Sequence, residues 1–275
     1  MKESDEIIEV NLDRIISERI PKYYKWIPRP LIRLLEKTIC QDDLNRELSI
    51  NAGKTGPEFC HSVLSDLNVS YKIEGAENLP TDNGRRYIFV SNHPLGGLDG
   101  MVLIDFINAR YGMPIHFIVN DLLSAVKPLE NVFLPVNKHG SQSRDAATNI
   151  DTAFDSDNPV IMFPAGLCSR RHDGVIADLT WNKMFVNRAI RHQREIIPLY
   201  FDGCNSSFFY KFARLREWLG IKFNFEMVLL PSEVFKSRGK QFTIKIGKPI
   251  DHRTLKGGHE ALATAEHIRS IVYNL

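Results

Sequence analysis

The apolar positions of this chain change their period near residue 70. Before that point they recur at helical spacing, in runs interrupted at Pro21, at Pro28-Arg29-Pro30 and at Gly53, Gly56 and Pro57. This predicts a succession of short helices. From Tyr71 onward, short β-branched and aromatic runs alternate with longer stretches of helical periodicity. Strands are predicted near 86–91, 114–119, 132–136, 159–163, 196–201 and 241–246, and helices near 100–111, 142–154, 182–193 and 259–273. The pattern predicts an α/β fold, a layered mixed sheet flanked by helices, with an N-terminal helical segment over 1–70 and the α/β domain over 71–275. In such folds the site lies at the strand ends.

Composition narrows the function classes. The 275 residues are 43% hydrophobic, enough for one substantial core, and a net charge of +2 gives no general basic surface for nucleic acid. Cations do concentrate in two places, in apolar company. Ile20 to Lys37 interleaves Lys22, Lys25, Arg29 and Arg33 with Tyr23, Tyr24, Trp26 and Ile27, and Phe208 to Phe223 interleaves Lys211, Arg214 and Arg216 with Phe209, Leu215 and Trp218. Each fits an amphipathic segment lying in a membrane interface, and equally a helix packed on its own domain with cations outward. Two in one small chain favour contact with a membrane lipid surface. No apolar stretch reaches the roughly 20 residues of a spanning helix, and the acidic start Met1-Lys2-Glu3-Ser4-Asp5-Glu6 is no signal peptide. The expectation is a cytoplasmic protein touching the inner face of the membrane peripherally. Cysteines at 40, 60, 168 and 204 show neither metal spacing nor disulfide density.

Candidate chemistry begins at Ser91-Asn92-His93-Pro94-Leu95-Gly96-Gly97-Leu98-Asp99-Gly100, between a predicted strand and a predicted helix. Pro94 biases His93 away from helical angles, and Gly96-Gly97 lets the chain turn back so that Asp99 can meet the imidazole. A carboxylate on Nδ1–H fixes the tautomer and leaves Nε2 free to take a proton. Asp99 would also serve as a helix cap, with His93 an ordinary loop histidine. A second cluster follows the strand Val160-Ile161-Met162, reading Phe163-Pro164-Ala165-Gly166-Leu167-Cys168-Ser169-Arg170-Arg171. Arg170 and Arg171 could bind an anionic group bidentately, or one could pair with Asp173 or Asp178 in a solvated loop. Gly166-Leu167-Cys168-Ser169 has part of a nucleophile elbow, but Arg170 stands where its second glycine belongs. His172-Asp173 has no ligand-spaced partner for a metal.

These blocks together resemble the glycerolipid acyltransferase family, the lysophosphatidic acid acyltransferase-like enzymes. Asn92-His93 with Asp99 matches the first signature, one residue longer than its usual spacing. That spacing and the Gly-Gly-Leu-Asp-Gly ending resemble the hemolysin-like bacterial branch, which includes O-acyltransferases of ornithine- and glycine-lipid synthesis. Asn131 to Lys138 matches the second block without its glycine and arginine, leaving Lys138 as stand-in. The Phe163 block matches Phe-Pro-Glu-Gly-Thr-Arg-Ser with Ala165, Leu167 and Cys168 substituted. Ile196 to Gly203 and Phe242 to Ile250 match later strands, so the resemblance covers roughly residues 70 to 250.

The resemblance implies transfer of a fatty acyl group from an acyl carrier protein or coenzyme A thioester to a hydroxyl of a lyso-lipid, with no metal or redox cofactor. His93 would be the base and Asp99 its orienting partner. Asn92, Gly96, Gly97, Lys138, Gly166, Ser169, Arg170 and Arg171 would contact substrate, with backbone N–H groups near Gly96-Gly97 or Gly166 holding the oxyanion. The missing glutamate and in-motif arginine bear against glycerol phosphate in particular, and a carboxylate-headed lyso-lipid would need less phosphate machinery; a lyso-amino-acid lipid and lysophosphatidic acid both stay open as acceptors. The competing readings are a lipid or thioester hydrolase using Cys168 or Ser169, and a non-catalytic lipid-binding protein.

Overall fold

A computed structural model describes residues 9–19, 21–81, 86–120, 126–136, 144–221 and 224–275. The N-terminal part is helical: α1 Leu12–Arg19, α2 Pro21–Tyr24, α3 Arg29–Thr38, α4 Gln41–Ile50 and α5 Gly56–Asp66. Breaks fall where Pro21, the Pro28-Pro30 pair and Gly56-Pro57 predict them; the prolines open helices, where their missing N–H costs nothing. The remainder is β1 Ser70–Glu74, β2 Tyr87–Ser91, α6 Leu98–Tyr111, β3 His116–Asn120, β4 Phe133–Val136, α7 Arg144–Asp155, β5 Val160–Met162, β6 Arg170–His172, β7 Val175–Ala177, α8 Met184–Arg191, β8 Glu195–Asp202, α9 Ser207–Trp218, α10 Leu230–Phe235, β9 Gln241–Ile246 and α11 Ala261–Tyr273.

Seven strands form one sheet in the order β1-β9-β8-β2-β5-β3-β4, parallel at every step except β8 against β9; β6 and β7 form a separate antiparallel ribbon. The central strands are apolar on both faces because helices cover both. Phe89 of β2 packs on one side with Val102, Leu103 and Ile107 of α6 and Phe59 and Val63 of α5. Its neighbours Ile88 and Val90 face the other side, with Phe154 of α7, Phe185 of α8 and Ile268 of α11. The α/β prediction stands. The strand β1 escapes the sequence pattern: at the sheet edge only alternate residues are half-buried, so its apolar signal is weak. The three-residue strands of the ribbon are too short to carry a period.

Parallel pairing of β2 with β5, Val90 opposite Met162, brings their carboxyl ends side by side. The chain after β2 carries His93, and the chain after β5 carries Phe163 and Gly166.

Candidate active site

The turn between β2 and α6 is built around one carboxylate. Asp99, in the first turn of α6 and fully buried, accepts on Oδ2 from the Leu95 N–H at 2.9 Å and the Gly96 N–H at 3.4 Å, and on Oδ1 from the Gly100 N–H at 2.9 Å. Its Oδ2 also takes a 2.9 Å hydrogen bond from His93 Nδ1. Gly96 makes this fold-back possible, with φ of 79° and a Cβ there coming within 2.8 Å of Leu230. Burial by itself would raise the Asp99 carboxyl, but the His93 charge and hydrogen bond, with the Leu95 and Gly100 N–H groups, outweigh it and hold the group below the usual carboxylate range. Asp99 is therefore an anion facing the imidazole. Asp99 does not cap α6, the alternative that the sequence allows: the N-cap is Gly97, with no side-chain cap bond, and the carboxylate instead braces the loop N–H groups and meets the His93 ring.

The imidazole lies flat on Phe163, ring centroids 3.9 Å apart and planes 17° off parallel. With Nδ1 donating to Asp99, the ring's Nε2 carries the lone pair. Beside it a cavity of about 190 Å³ runs between α6, β3 and β4, lined by His93, Gly96, Gly97, Gly100, Gly166, Met101, Ile104, Phe117, Val119, Val126, Leu129, Phe133 and Phe163. Apart from the histidine this lining is apolar side chains and glycine. Gly100 lets α6 approach β3, since a Cβ there would meet Phe117 at 3.0 Å. An apolar slot with a histidine in its lining suits a hydrocarbon chain whose reactive end meets that histidine.

Sequence-predicted residues divide between this cavity and its supports. Gly96, Gly97 and Gly166 line it. Asn92 does not reach it: its amide accepts from the Phe201 N–H at 2.7 Å and donates to the Phe201 carbonyl at 3.0 Å. The side chain thus continues the β2–β8 ladder as a peptide group would, tying the histidine loop to β8. Ser169 is buried and donates its hydroxyl to Asp178 at 2.6 Å. Arg170 is also buried, its guanidinium on the Cys168 carbonyl at 2.7 Å and on Glu226 at 2.8 Å, with Arg216 completing the cluster on the same carboxylate. Its acid is Glu226 and not Asp173 or Asp178. Arg171 is exposed, with its guanidinium over the Tyr210 ring. Lys138 lies outside the described residues.

Nothing in the sequence marks Phe163 as the platform under His93, although it opens the Phe163-Pro164-Ala165-Gly166 stretch. From sequence, Asp178 reads only as an arginine partner. Its contact with the His93 loop spans 85 residues, a separation no local motif reads.

Cys168 is fully buried and turned toward Arg170. Burial pushes its thiol up to about 11, with Arg170 only partly offsetting, so the thiolate needed of a nucleophile is scarce at neutral pH. Cys168→Ala is expected to keep most of the catalytic rate, and mass spectrometry after substrate addition to find no acyl group on residue 168. An acyl-cysteine there would restore the elbow reading.

The sequence profile of the family described as Acyltransferase matches residues 14–275. The chain is 40% identical to the lyso-glycine lipid O-acyltransferase of Bacteroides thetaiotaomicron, over 98% of this chain and 99% of that protein. It is 42% identical to the protein of the same description from Phocaeicola vulgatus, over 98% and 96%. Among solved structures it is similar to the 1-acyl-sn-glycerophosphate (LPA) acyltransferase PlsC from Thermotoga maritima, with a TM-score of 0.49, 18% identity and coverage of 96% and 94% of the two chains.

Proposed function

The chain belongs to the acyltransferase family and is an O-acyltransferase of lyso-lipids; from that premise we propose that His93 is its base, Asp99 the orienting anion, an acyl thioester the donor and a lyso-glycine lipid the acceptor. The observation that carries this reading is the 2.9 Å His93–Asp99 hydrogen bond beside the apolar cavity. The donor's hydrocarbon chain occupies the cavity and brings the thioester carbonyl to the histidine. His93 Nε2 takes the proton of the acceptor hydroxyl as its oxygen attacks that carbonyl carbon. The C–S bond then breaks, and the imidazolium proton goes to the leaving thiolate. Asp99 keeps the ring in one tautomer and stabilises the imidazolium. The acceptor is supported by the two full-length relatives and by the chemistry of the third block: Arg170 is committed to Glu226, which leaves Arg171 there to meet one carboxylate.

The test is ester formation by the purified protein, offered lyso-glycine lipid or lysophosphatidic acid with palmitoyl-coenzyme A or palmitoyl-acyl carrier protein. Acylation of the glycine lyso-lipid is expected with at least one donor. Free palmitate as the sole product would instead indicate a thioester hydrolase.

A lyso-lipid acceptor resides in a bilayer, while among the described residues no helix is long and apolar enough to cross one. We assign membrane contact to the two basic-aromatic segments. Trp26 is 84% exposed and Trp218 79%, and Tyr23, Leu34, Leu215 and Leu219 are also exposed beside them. The inward positions Ile32 and Phe209 are buried, so each segment packs with one face and presents apolar side chains with the other. Sedimentation with anionic vesicles is expected to show binding that weakens with salt but persists, as headgroup attraction is screened and inserted rings are not. Trp26→Ser with Trp218→Ser lowers the salt-resistant part. Absence of binding at low salt would make these faces ordinary surface.

A further inference from the structure

A second buried carboxylate meets the histidine through its main chain. Asp178 follows β7 and is 5% exposed. Its Oδ1 accepts from the His93 backbone N–H at 3.1 Å and from the Ser169 hydroxyl at 2.6 Å, and its Oδ2 from the Trp181 indole N–H at 2.9 Å. The Ser169 N–H in turn donates to the His93 carbonyl at 2.8 Å. Both main-chain polar groups of His93 are therefore held by two residues that are bonded to each other. Helix α11 supports this segment in three places: Tyr273 Oη accepts from the Asp178 N–H at 2.7 Å, Arg269 donates to the Asp178 carbonyl at 2.8 Å, and Glu266 accepts from the Trp181 N–H at 3.0 Å.

We propose that Asp178 is a positioning residue for His93, fixing the backbone from which the imidazole projects. All three groups bonded to its carboxylate are donors. Burial raises the Asp178 carboxyl above its ordinary range, against the pull of the Ser169, His93 and Trp181 hydrogen bonds and the His93 charge. What the clamp fixes is the direction in which the imidazole projects, and proton transfer depends on that alignment. Among the described residues, Asp99 from α6 and the Phe163 ring after β5 also pack on His93, while Arg170 at the start of β6 faces Glu226.

The inference rests on acyl transfer through His93, which wild-type turnover tests separately from the variant-to-wild-type ratios used next. Asp178→Asn replaces one carboxyl oxygen by an amide nitrogen and sets its N–H, or a rearranged oxygen, against the indole N–H. The expected result is kcat lower by about tenfold or more through loss of alignment, with KM for palmitoyl-coenzyme A or palmitoyl-acyl carrier protein near the wild-type value. Ser169→Ala, which loses one bond of the clamp, is expected to lower kcat by about fivefold, again with KM near the wild-type value. A folded Asp178→Asn protein with the wild-type kcat, or with the whole loss appearing in KM, overturns the proposal. If circular dichroism shows Asp178→Asn unfolded, wild-type kcat in Ser169→Ala overturns it as well.

Discussion

His93→Ala is expected to leave a folded protein whose acyl transfer is lower by about 10²–10⁴-fold, the range that a positioned general base contributes. The fold should survive because the imidazole is not a core group. It lines the cavity, its side chain 14% exposed, and the main-chain bonds to Asp178 and Ser169 that fix the loop do not involve the ring. The measurements are single-turnover ester formation, thermal melting by circular dichroism, and donor binding by calorimetry. Donor affinity should change little, since the apolar lining between α6, β3 and β4 remains. A folded variant with wild-type turnover would remove His93 from the reaction and with it the mechanism given above.

Asp99→Asn should lower kcat by a comparable 10²–10⁴-fold, roughly, because an amide turned to donate toward Nδ1 favours the tautomer with the hydrogen on Nε2, the atom that must accept the acceptor's proton. Asp99 differs from His93 in also holding the loop, through the N–H groups of Leu95, Gly96 and Gly100. Stability should therefore fall too. The pH dependence follows from the direction of the shift. A carboxyl held below its unfolded value stabilises the native state above that unfolded value, about 3.9, and ceases to do so as pH falls through the lower folded one. The difference in Tm between wild type and Asp99→Asn should thus be full near neutrality and narrow below about pH 4. A gap that stays constant to pH 2 would mean that the lost stability is packing and not the anion. Full activity in the folded asparagine variant would leave Asp99 as a loop brace alone.

Much of the fold was legible because the signals were local. Runs such as Tyr87 to Val90 and Ile196 to Phe201 are apolar throughout, as strands covered on both faces must be, and the predicted strand positions fall on β2 and β8. Proline and glycine set the helix breaks in the first 70 residues by the same local sterics. His93 and Asp99 could be paired from sequence because one turn joins them, and the glycine that permits the turn stands between them.

What the sequence by itself determined was the identity of each element and the pairing of groups within one loop. Pattern and turn chemistry act over a few residues, and so do the signals that mark His93, Asp99 and the glycines. Tertiary structure alone decided which side chains the chain brings to that loop from a distance. It turned Arg170 inward to Glu226 and Asn92 across to β8, and left Arg171 at the surface. It set Phe163 under the imidazole and Asp178 on the His93 backbone N–H. Those choices follow from the order in which the strands pair and from the rule that a buried polar group finds a partner wherever packing offers one. An arginine, an asparagine and an aspartate look alike in sequence whether they meet substrate or backbone; only the sheet that places β2 between β5 and β8 settles which they meet.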